Sequence, residues 1–338
     1  MSAKAGVIKK LLLDKDLNEK EVYDVFLEMF KGDLSDEDAR TVLLLLAQKG
    51  ETAQEIFGCL KALRKLEPER PSGFHELMDT CGTGGDQSHS INVSTLSAIL
   101  IAASGGKVAK HGNRSITSKV GSSDLMEAFG VNLDAPYQKM IKGIKEVGLG
   151  YFHAPVYHPI FARVQPLRQR IKARTIFNLL GPLVNPLKLQ YQVIGVSRKD
   201  YLEKFAQVLK LKKLKKAVVC HSREGMDELS TKGISDIALV SPSRIQYTSF
   251  DPQKYGFKKA KPNDYLGGSL RQNLSISKKI LAGKLAGPKR DLVAANAGLG
   301  LFICGLARSL DQGIEMISKT LDQGKGIQTI QQLAKITQ

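Results

Sequence analysis

Long apolar runs are missing from this sequence of 338 residues, in which hydrophobic residues make up 42% and the mean hydropathy is −0.16. No stretch approaches the ~20 apolar residues that a membrane-spanning helix needs. The N-terminal segment 1–20 has only the short run Leu11–Leu13 and no small-residue cleavage pattern. These absences argue against a membrane protein and a secreted protein. They predict a globular chain with one large or two modest domains.

Cysteine is also scarce. The four cysteines lie far apart and lack the spacing of metal ligands: Cys59, Cys81, Cys220 and Cys304. Such residues are typical of free thiols in a reducing cytoplasm, so the sequence predicts a cytoplasmic protein. Cys81 is interpreted as a small packing residue and not as a nucleophile.

Acidic residues are in deficit, because 33 Asp and Glu stand against 50 Lys and Arg and give a net charge of +17. Part of this excess lies in the lysine-rich segment 210–216. A basic surface suits nucleic acid, since it releases counterions from a phosphate backbone, and it also attracts small anionic substrates. No aromatic residues alternate with these lysines, which favours a third interpretation, a basic composition without a dedicated partner.

The first seventy residues have the pattern of a helical domain. Three capping residues each stand three positions before an acid and predict helix starts: Asn18 with Glu21, Ser35 with Asp38, and Thr52 with Glu55. Gly32 and Gly50 mark the ends of the first two helices. The segment Leu66–Gly73 contains two prolines and a glycine and is typical of a linker. We therefore expect a small helical domain over residues 1–70.

The remainder, residues 71–338, alternates short apolar strands with amphipathic helices. Strands are predicted at Lys107–Ala109, Gln192–Val196 and Ala217–Cys220, and a hairpin is predicted around 237–247. This alternation indicates an α/β domain with a mainly parallel central sheet flanked by helices. No internal repeat or low-complexity segment is evident.

Two glycine-centred strings point to chemistry. The first, Gly82–Asp86, reads Gly-Thr-Gly-Gly-Asp and stands between a strand end and a helix-like run over Ser94–Ala103. Its glycines let the backbone approach a ligand closely, and the following helix offers its positive N-terminus, so the turn suits a phosphate or diphosphate. A Gly-rich turn of this kind can also serve packing alone.

The second string, Lys110–Ser115, reads Lys-His-Gly-Asn-Arg-Ser and follows a short predicted strand. Few structural requirements place a lysine, a histidine, an asparagine and an arginine within five residues. Cations for phosphate and fixed donors for a planar polar substrate would explain the combination.

On these strings the chain resembles the anthranilate phosphoribosyltransferase family, which has a nucleoside phosphorylase/phosphoribosyltransferase-like fold. Three later segments also resemble the family in order and spacing: Arg174–Pro186, His221–Glu228 and Asn296–Leu301. The resemblance implies a small α domain, joined by mid-chain helices around 160–180, beside a large α/β domain. It also implies transfer of the 5-phosphoribosyl group from 5-phosphoribosyl-1-diphosphate to anthranilate, the second step of tryptophan biosynthesis from chorismate.

The resemblance further assigns site residues. For the phosphoribosyl donor they are Gly82, Gly85, Asp86, Asn92, Ser94, Thr95, Lys110 and Ser122. For anthranilate they are Gly82, His111, Asn113, His158, Arg168 and Gly181. Magnesium, two ions per monomer, is expected at Ser94, Asp227 and Glu228, and no residue is assigned as a general base. The family implies a homodimer, no membrane partner, and no need for nucleic acid.

Two positions depart from the family pattern: Lys172 stands where glycine is common, and His153 where an aromatic residue is usual. Two rival functions stay open. A pyrimidine nucleoside phosphorylase shares the fold but expects a different phosphate loop at Lys110–Ser115. A catalytically silent relative that binds nucleic acid would not need to keep the two glycine strings and the Asp227–Glu228 pair.

Overall fold

The computed structural model describes residues 3–115 and 119–338. The described helices, in chain order, are α1 (Ala3–Leu12), α2 (Glu19–Lys31), α3 (Asp36–Lys49), α4 (Ala53–Leu66), α5 (Val93–Ala103), α6 (Ser122–Ala128), α7 (Tyr137–Val147), α8 (Ala154–Tyr157), α9 (Ile160–Ile171), α10 (Phe177–Leu180), α11 (Lys199–Leu211), α12 (Leu270–Leu281), α13 (Pro288–Ile303), α14 (Leu310–Asp322) and α15 (Lys325–Thr337). Short 3-10 turns lie at Gly181–Leu183, Pro252–Tyr255 and Pro262–Tyr265.

The described strands are β1 (Leu77–Gly82), β2 (Lys107–Gly112), β3 (Leu149–His153), β4 (Tyr191–Gly195), β5 (Lys216–Ser222), β6 (Ser235–Val240) and β7 (Ile245–Phe250). They form one sheet in the order β3-β2-β1-β4-β5-β6-β7. The first five strands of that order are parallel, and β6 and β7 join as an antiparallel hairpin. These pairings confirm the mainly parallel sheet and the hairpin expected around 237–247.

The chain divides into two compact units. The first contains the residues up to Arg70 together with Pro155–Pro186, and the second contains Pro71–Ala154 together with Leu187–Gln338. The first unit is helical and the second is α/β. A small N-terminal helical domain followed by an α/β domain is the predicted fold class.

The helices of the first unit begin and end where local chemistry directs them. Asn18 and Thr52 form reciprocal capping boxes with the acids three residues later, and the Ser35 hydroxyl accepts from the Asp38 N–H. Gly32 ends α2 in the left-handed conformation that glycine adopts without strain. These predicted starts and stops are confirmed.

An aromatic cluster ties the mid-chain segment to the N-terminal helices of the first unit. The rings of Phe26 and Phe30 on α2 and of Phe177 on α10 have centroids 6.0 Å apart in each pair. Each of these side chains is almost completely buried. Burying a phenylalanine contributes roughly 1.5–3 kcal/mol, so this contact holds residues that are far apart in sequence in one core.

In the second unit, strands of the parallel part of the sheet are buried on both faces. Every residue of β3 and of β4 is buried, as expected for parallel strands covered by helices. The apolar helix α5 packs against β1 and β2 and against α13. Gly298 and Gly313 let α13 and α14 approach closely, since a Cβ on Gly313 would overlap the Gly298 carbonyl. Within the described residues, no helix is both long and apolar enough to cross a membrane.

Candidate active site

The site is built where the sheet order reverses. The chain runs from β1 to β2 on one side and later returns to β4 on the other, so the carboxyl ends of β1 and β4 flank a crevice, the usual ligand position in open α/β sheets. Gly82 and Gly195 are register partners at these ends. The Thr83 N–H donates to the Gly195 carbonyl at 2.9 Å, and the Ser197 N–H donates to the Thr83 hydroxyl at 3.1 Å. These contacts fix the start of the first glycine string.

The glycine turn after β1 is exposed and left-handed. Gly84 and Gly85 have φ of 63° and 75°, a region that disfavours residues with a Cβ. The Gly84 N–H donates to Asp227 Oδ2 at 2.8 Å, although the two residues are 143 positions apart. The turn therefore holds the Asp227 carboxylate in place and also leaves backbone groups open to a ligand.

Asp227 occupies a cradle that only glycine leaves open. A Cβ added to Gly82 would overlap the Asp227 carboxylate, and a Cβ added to Gly195 would overlap the Asp227 carbonyl. Gly195 was missed by sequence reasoning. The one available signal was a glycine inside the predicted strand Gln192–Val196, which does not reveal what approaches it.

Three carboxylates meet beside this cradle. Oxygen atoms of Asp86, Asp227 and Glu228 lie within 4.8 Å of one another. Sequence reasoning paired Asp227 with Glu228 and assigned Asp86 to the donor, and the structure adds Asp86 to the acidic cluster. Asp86 follows the glycine turn and its Oδ1 accepts from the Ser88 N–H at 3.2 Å.

The electrostatics of this acidic cluster fit a cation. Burial raises the pKa of Asp227, and the nearby charge of Asp86 raises it further. Burial and the charge of Asp227 likewise raise the pKa of Glu228 well above its usual range. Asp86 Oδ2 and Glu228 Oε2 are buried without a hydrogen-bond partner among the described residues. Crowded, unsatisfied carboxylate oxygens are a donor set that hard divalent cations prefer.

The start of α5 holds two further unsatisfied oxygens. The Asn92 amide donates to the Val120 carbonyl at 3.0 Å and does not cap the helix, and its Oδ1 is buried without a partner among the described residues. The Thr95 hydroxyl is also buried without a hydrogen-bond partner among the described residues. Ser94 is half-buried between them, and its carbonyl accepts from the Thr80 hydroxyl at 2.8 Å. An unsatisfied buried polar group costs about 1–3 kcal/mol, which a polar ligand at this helix start would remove.

The second glycine string begins inside the sheet. Lys110 and His111 are buried in β2. The Lys110 ammonium donates to the His111 carbonyl at 2.9 Å, and the buried Asp79 carboxylate of β1 accepts from the His111 N–H at 3.2 Å. The backbone of this pair is thereby fixed by groups from both strands.

Beyond β2 the string turns back on α6. The exposed Asn113 has its carbonyl contacted by the Ser123 N–H at 3.1 Å and by the Ser122 hydroxyl at 3.2 Å. The Ser122 hydroxyl also lies 3.0 Å from the Tyr151 hydroxyl. Arg114 pairs with Asp124 and Glu127, so its charge is already compensated within the protein.

The residues assigned to anthranilate are divided between the units. Gly82, His111 and Asn113 lie in the second unit, and His158, Arg168 and Gly181 lie in the first. The donor and metal residues all lie in the second unit, where the structure brings Gly82, Asp86, Asp227 and Glu228 together.

Within the first unit, His158 is buried and its Nδ1 hydrogen-bonds to the buried Glu67 carboxylate. Arg168 on α9 is half-buried, with its guanidinium carbon 5.9 Å from the centroid of the Phe177 ring. Burial lowers the pKa of Arg168. Gly181 is exposed, with open space where a Cβ would stand.

The two departures from the family pattern have local structural consequences. Lys172 ends α9 with a φ of 52°, the left-handed region in which glycine is favoured. His153 ends β3, is buried, and places its Nδ1 2.8 Å from the Ser123 hydroxyl. Burial lowers the pKa of His153, which favours the neutral ring.

Comparison with known proteins agrees with this geometry. The glycosyl transferase family a/b domain matches residues 75–327, and the glycosyl transferase family helical bundle domain matches residues 5–66. The anthranilate phosphoribosyltransferase of Persephonella marina is 40% identical over 327 residues, 96% of this chain and 96% of the relative. That of Desulfosudis oleivorans is 37% identical over 330 residues, 98% of this chain and 97% of the relative.

Solved structures give the same result. Anthranilate phosphoribosyltransferase from Thermus thermophilus superposes with a TM-score of 0.92 at 34% identity and covers 98% of this chain and 99% of its own. The Saccharomyces cerevisiae enzyme, solved in complex with PRPP and Mg, has a TM-score of 0.88 at 21% identity, covers 99% of this chain and 97% of its own, and shares the fold. Because the sequence similarity extends through nearly the whole chain and not one domain alone, the protein belongs to the anthranilate phosphoribosyltransferase family.

Proposed function

We propose that this protein transfers the 5-phosphoribosyl group from 5-phosphoribosyl-1-diphosphate to the amine of anthranilate and releases diphosphate, the second step of tryptophan biosynthesis from chorismate. One observation carries the proposal: four buried oxygens, on Asp86, Asn92, Thr95 and Glu228, lack partners among the described residues and belong to the glycine turn, the start of α5 and the acidic cluster. A polar, highly charged substrate and its cation would satisfy them together.

The donor is proposed to bind along the glycine turn and the start of α5. Gly82, Gly85 and Asp86 come from the turn, and Asn92, Ser94 and Thr95 come from the helix start. Lys110 and Ser122 complete the proposed set from β2 and α6. The N-terminus of α5 favours negative charge, and the glycines permit close approach of the backbone.

The metal is proposed to be Mg²⁺, two ions per monomer, held by Asp227 and Glu228 with Ser94, and with Asp86 added from its place in the acidic cluster. When bound, magnesium supplies positive charge against the departing diphosphate. The protein's own part is to hold the carboxylates in place, which Gly84 and Gly195 do for Asp227.

Anthranilate is proposed to bind through Gly82, His111, Asn113, His158, Arg168 and Gly181. The Arg168 guanidinium suits a carboxylate, since it can make two parallel hydrogen bonds. The attacking amine is neutral, and the bond from its nitrogen to C1 of the ribose forms as the C1–diphosphate bond breaks; the nitrogen then releases one proton to water. No side chain needs to remove a proton before that attack, so none is assigned as a general base.

Replacing Arg168 with alanine is expected to lower kcat/KM for anthranilate roughly 10–100-fold and to change donor binding little, because a charge-assisted pair contributes about 1.5–3 kcal/mol. Arg170→Ala is the matched control, since Arg170 lies on the same helix but is exposed and paired with Asp36. Steady-state kinetics with each substrate varied would measure the effect. Equal losses for both substrates would mean that Arg168 is structural.

The function itself is tested by following anthranilate fluorescence after 5-phosphoribosyl-1-diphosphate is added, with and without magnesium. Magnesium-dependent loss of fluorescence is expected. No loss, with active donor and a protein that melts cooperatively, would contradict the proposal. A steeply salt-dependent affinity for DNA in the same preparation would then favour the nucleic-acid-binding alternative.

A homodimer through the helical domain is also proposed. Leu12, the last residue of α1, is 68% exposed, and Leu13 in the turn that follows is 59% exposed. Both line an apolar groove of 540 Å³ on the first unit. Contiguous exposed apolar surface marks interaction sites in soluble proteins, and a second copy of this chain is the proposed occupant. Sedimentation equilibrium should give twice the chain mass, and Leu12→Glu with Leu13→Glu should give the monomer. A monomeric unsubstituted protein would refute the proposal.

The proposed location is the cytoplasm. The four cysteines are free thiols, and Cys59, Cys220 and Cys304 are buried. A reducing compartment keeps such thiols unpaired. Cell fractionation with an antibody against the protein would test this assignment.

A further inference from the structure

Leu229, which follows the Asp227–Glu228 pair, has both its N–H and its carbonyl hydrogen-bonded by the side chain of Asn296. Asn296 of α13 accepts from the Leu229 N–H through Oδ1 at 2.9 Å and donates through Nδ2 to the Leu229 carbonyl, also at 2.9 Å. The same Nδ2 donates to the Leu292 carbonyl of its own helix at 2.8 Å. Asn296 is buried and Leu229 is fully buried, so these groups have little access to water.

An asparagine suits this task for a chemical reason. Its planar amide offers one acceptor and two donors, which match the N–H and carbonyl of one buried residue. An aspartate lacks the donors, and a lysine or arginine would bring a positive charge beside carboxylates that a metal must reach. A neutral amide anchors the segment without changing its charge.

The anchor has a physical consequence because the segment is under repulsion. The oxygens of Asp86, Asp227 and Glu228 lie within 4.8 Å of one another. On its N-terminal side the acidic pair is fixed by Gly84 and Gly195 through Asp227. On its C-terminal side, Asn296 fixes the chain one residue after Glu228. The Glu228 carboxylate therefore belongs to a short stretch held at both ends.

We propose that Asn296 is a positioning residue for metal binding: by fixing Leu229 it sets the direction in which the chain leaves Glu228, and so keeps the three carboxylates preorganised for the cation. This rests on the proposed metal site. Asn296 touches neither metal nor substrate in this role and acts through the backbone of Leu229.

The test measures metal binding directly. Asn296→Leu keeps the size of the side chain and removes all three hydrogen bonds. Leu301→Val is the matched control, since Leu301 is a fully buried residue of the same helix. Binding of Mn²⁺ is followed by the electron paramagnetic resonance signal of the free ion, with and without 5-phosphoribosyl-1-diphosphate. The expected result is Mn²⁺ affinity about 10–100-fold weaker in Asn296→Leu, as for other residues that orient metal ligands, and unchanged affinity in Leu301→Val.

The outcomes separate the two proposals. Unchanged Mn²⁺ affinity in Asn296→Leu would overturn the role of Asn296. The proposed metal site itself would be refuted if the unsubstituted protein bound no Mn²⁺, or if Asp227→Asn bound Mn²⁺ as tightly as the unsubstituted protein does. If Asn296→Leu does not melt cooperatively, Asn296→Ala is measured in its place, because its smaller side chain leaves room for water to hydrogen-bond the Leu229 backbone. A folded Asn296→Ala with full Mn²⁺ affinity would likewise refute the proposal.

Discussion

Replacing Asp227 with asparagine and Glu228 with glutamine is expected to slow magnesium-dependent turnover by about 10²–10³-fold and to raise the magnesium concentration that half-saturates the enzyme. A catalytic metal supplies several kcal/mol of charge stabilisation, and each 1.36 kcal/mol is about tenfold in rate. The two side chains belong to one acidic cluster with Asp86, so each loss weakens the same site. Initial rates over a magnesium titration would measure both effects.

A second readout separates this role from a merely structural one. Burial raises the pKa of both carboxyls, and the charge of Asp86 raises both further, so neutral replacements should raise the melting temperature in the absence of metal. Asp200→Asn is the control, since Asp200 is exposed and paired with Arg198. Turnover with unchanged magnesium dependence in the double variant would show that the acidic cluster does not hold the metal.

Gly195→Ala is expected to have a comparably large effect, although Gly195 carries no side chain and no charge. The added methyl group would overlap the backbone carbonyl of Asp227, so either β4 or the acidic segment must move. Overpacking of this kind typically costs about 1–3 kcal/mol in the free energy of unfolding. Displacement of Asp227 would also break its hydrogen bond from Gly84 and weaken metal binding.

The matched control for Gly195→Ala is Gly6→Ala. Gly6 lies within α1 with no atom near the position of an added Cβ, and alanine is the better helix former by about 1 kcal/mol. Urea unfolding and Mn²⁺ binding would be measured on both variants. Gly195→Ala should lower both the free energy of unfolding and the Mn²⁺ affinity, and Gly6→Ala should lower neither. A Gly195→Ala protein with full stability and full Mn²⁺ affinity would show that Asp227 does not need a glycine at position 195.

Local chemistry made much of the fold predictable. The capping residues Asn18, Ser35 and Thr52 act on backbone groups within the next turn, so their effect can be read from adjacent sequence. The predicted strands that lie in β2, β4 and β5 and the hairpin at 237–247 follow from apolar runs and turn residues in the same way, whereas β3 was not predicted. The glycine strings and the Asp227–Glu228 pair were evident for the same reason, since each is a short run of unusual composition.

The rest of the site depends on contacts between distant residues. Nothing near Gly195 in the sequence reveals that Asp227 packs against it, and nothing near Asn296 reveals that it binds the backbone of Leu229, 67 positions away. Asp86 joins the acidic cluster because β4 lies in the sheet between β1, which precedes Asp86, and β5, which precedes Asp227 and Glu228. Phe177 shares a core with Phe26 because burial of aromatic surface favours their contact.

The sequence by itself thus determined many of the elements, their caps and the reactive groups, because backbone hydrogen bonding and side-chain chemistry are local. Only the tertiary structure decided which carboxylates crowd together, which glycines make room for them and which amide anchors them. Those relations depend on strand order and on packing, which bring residues more than a hundred positions apart into hydrogen-bond distance.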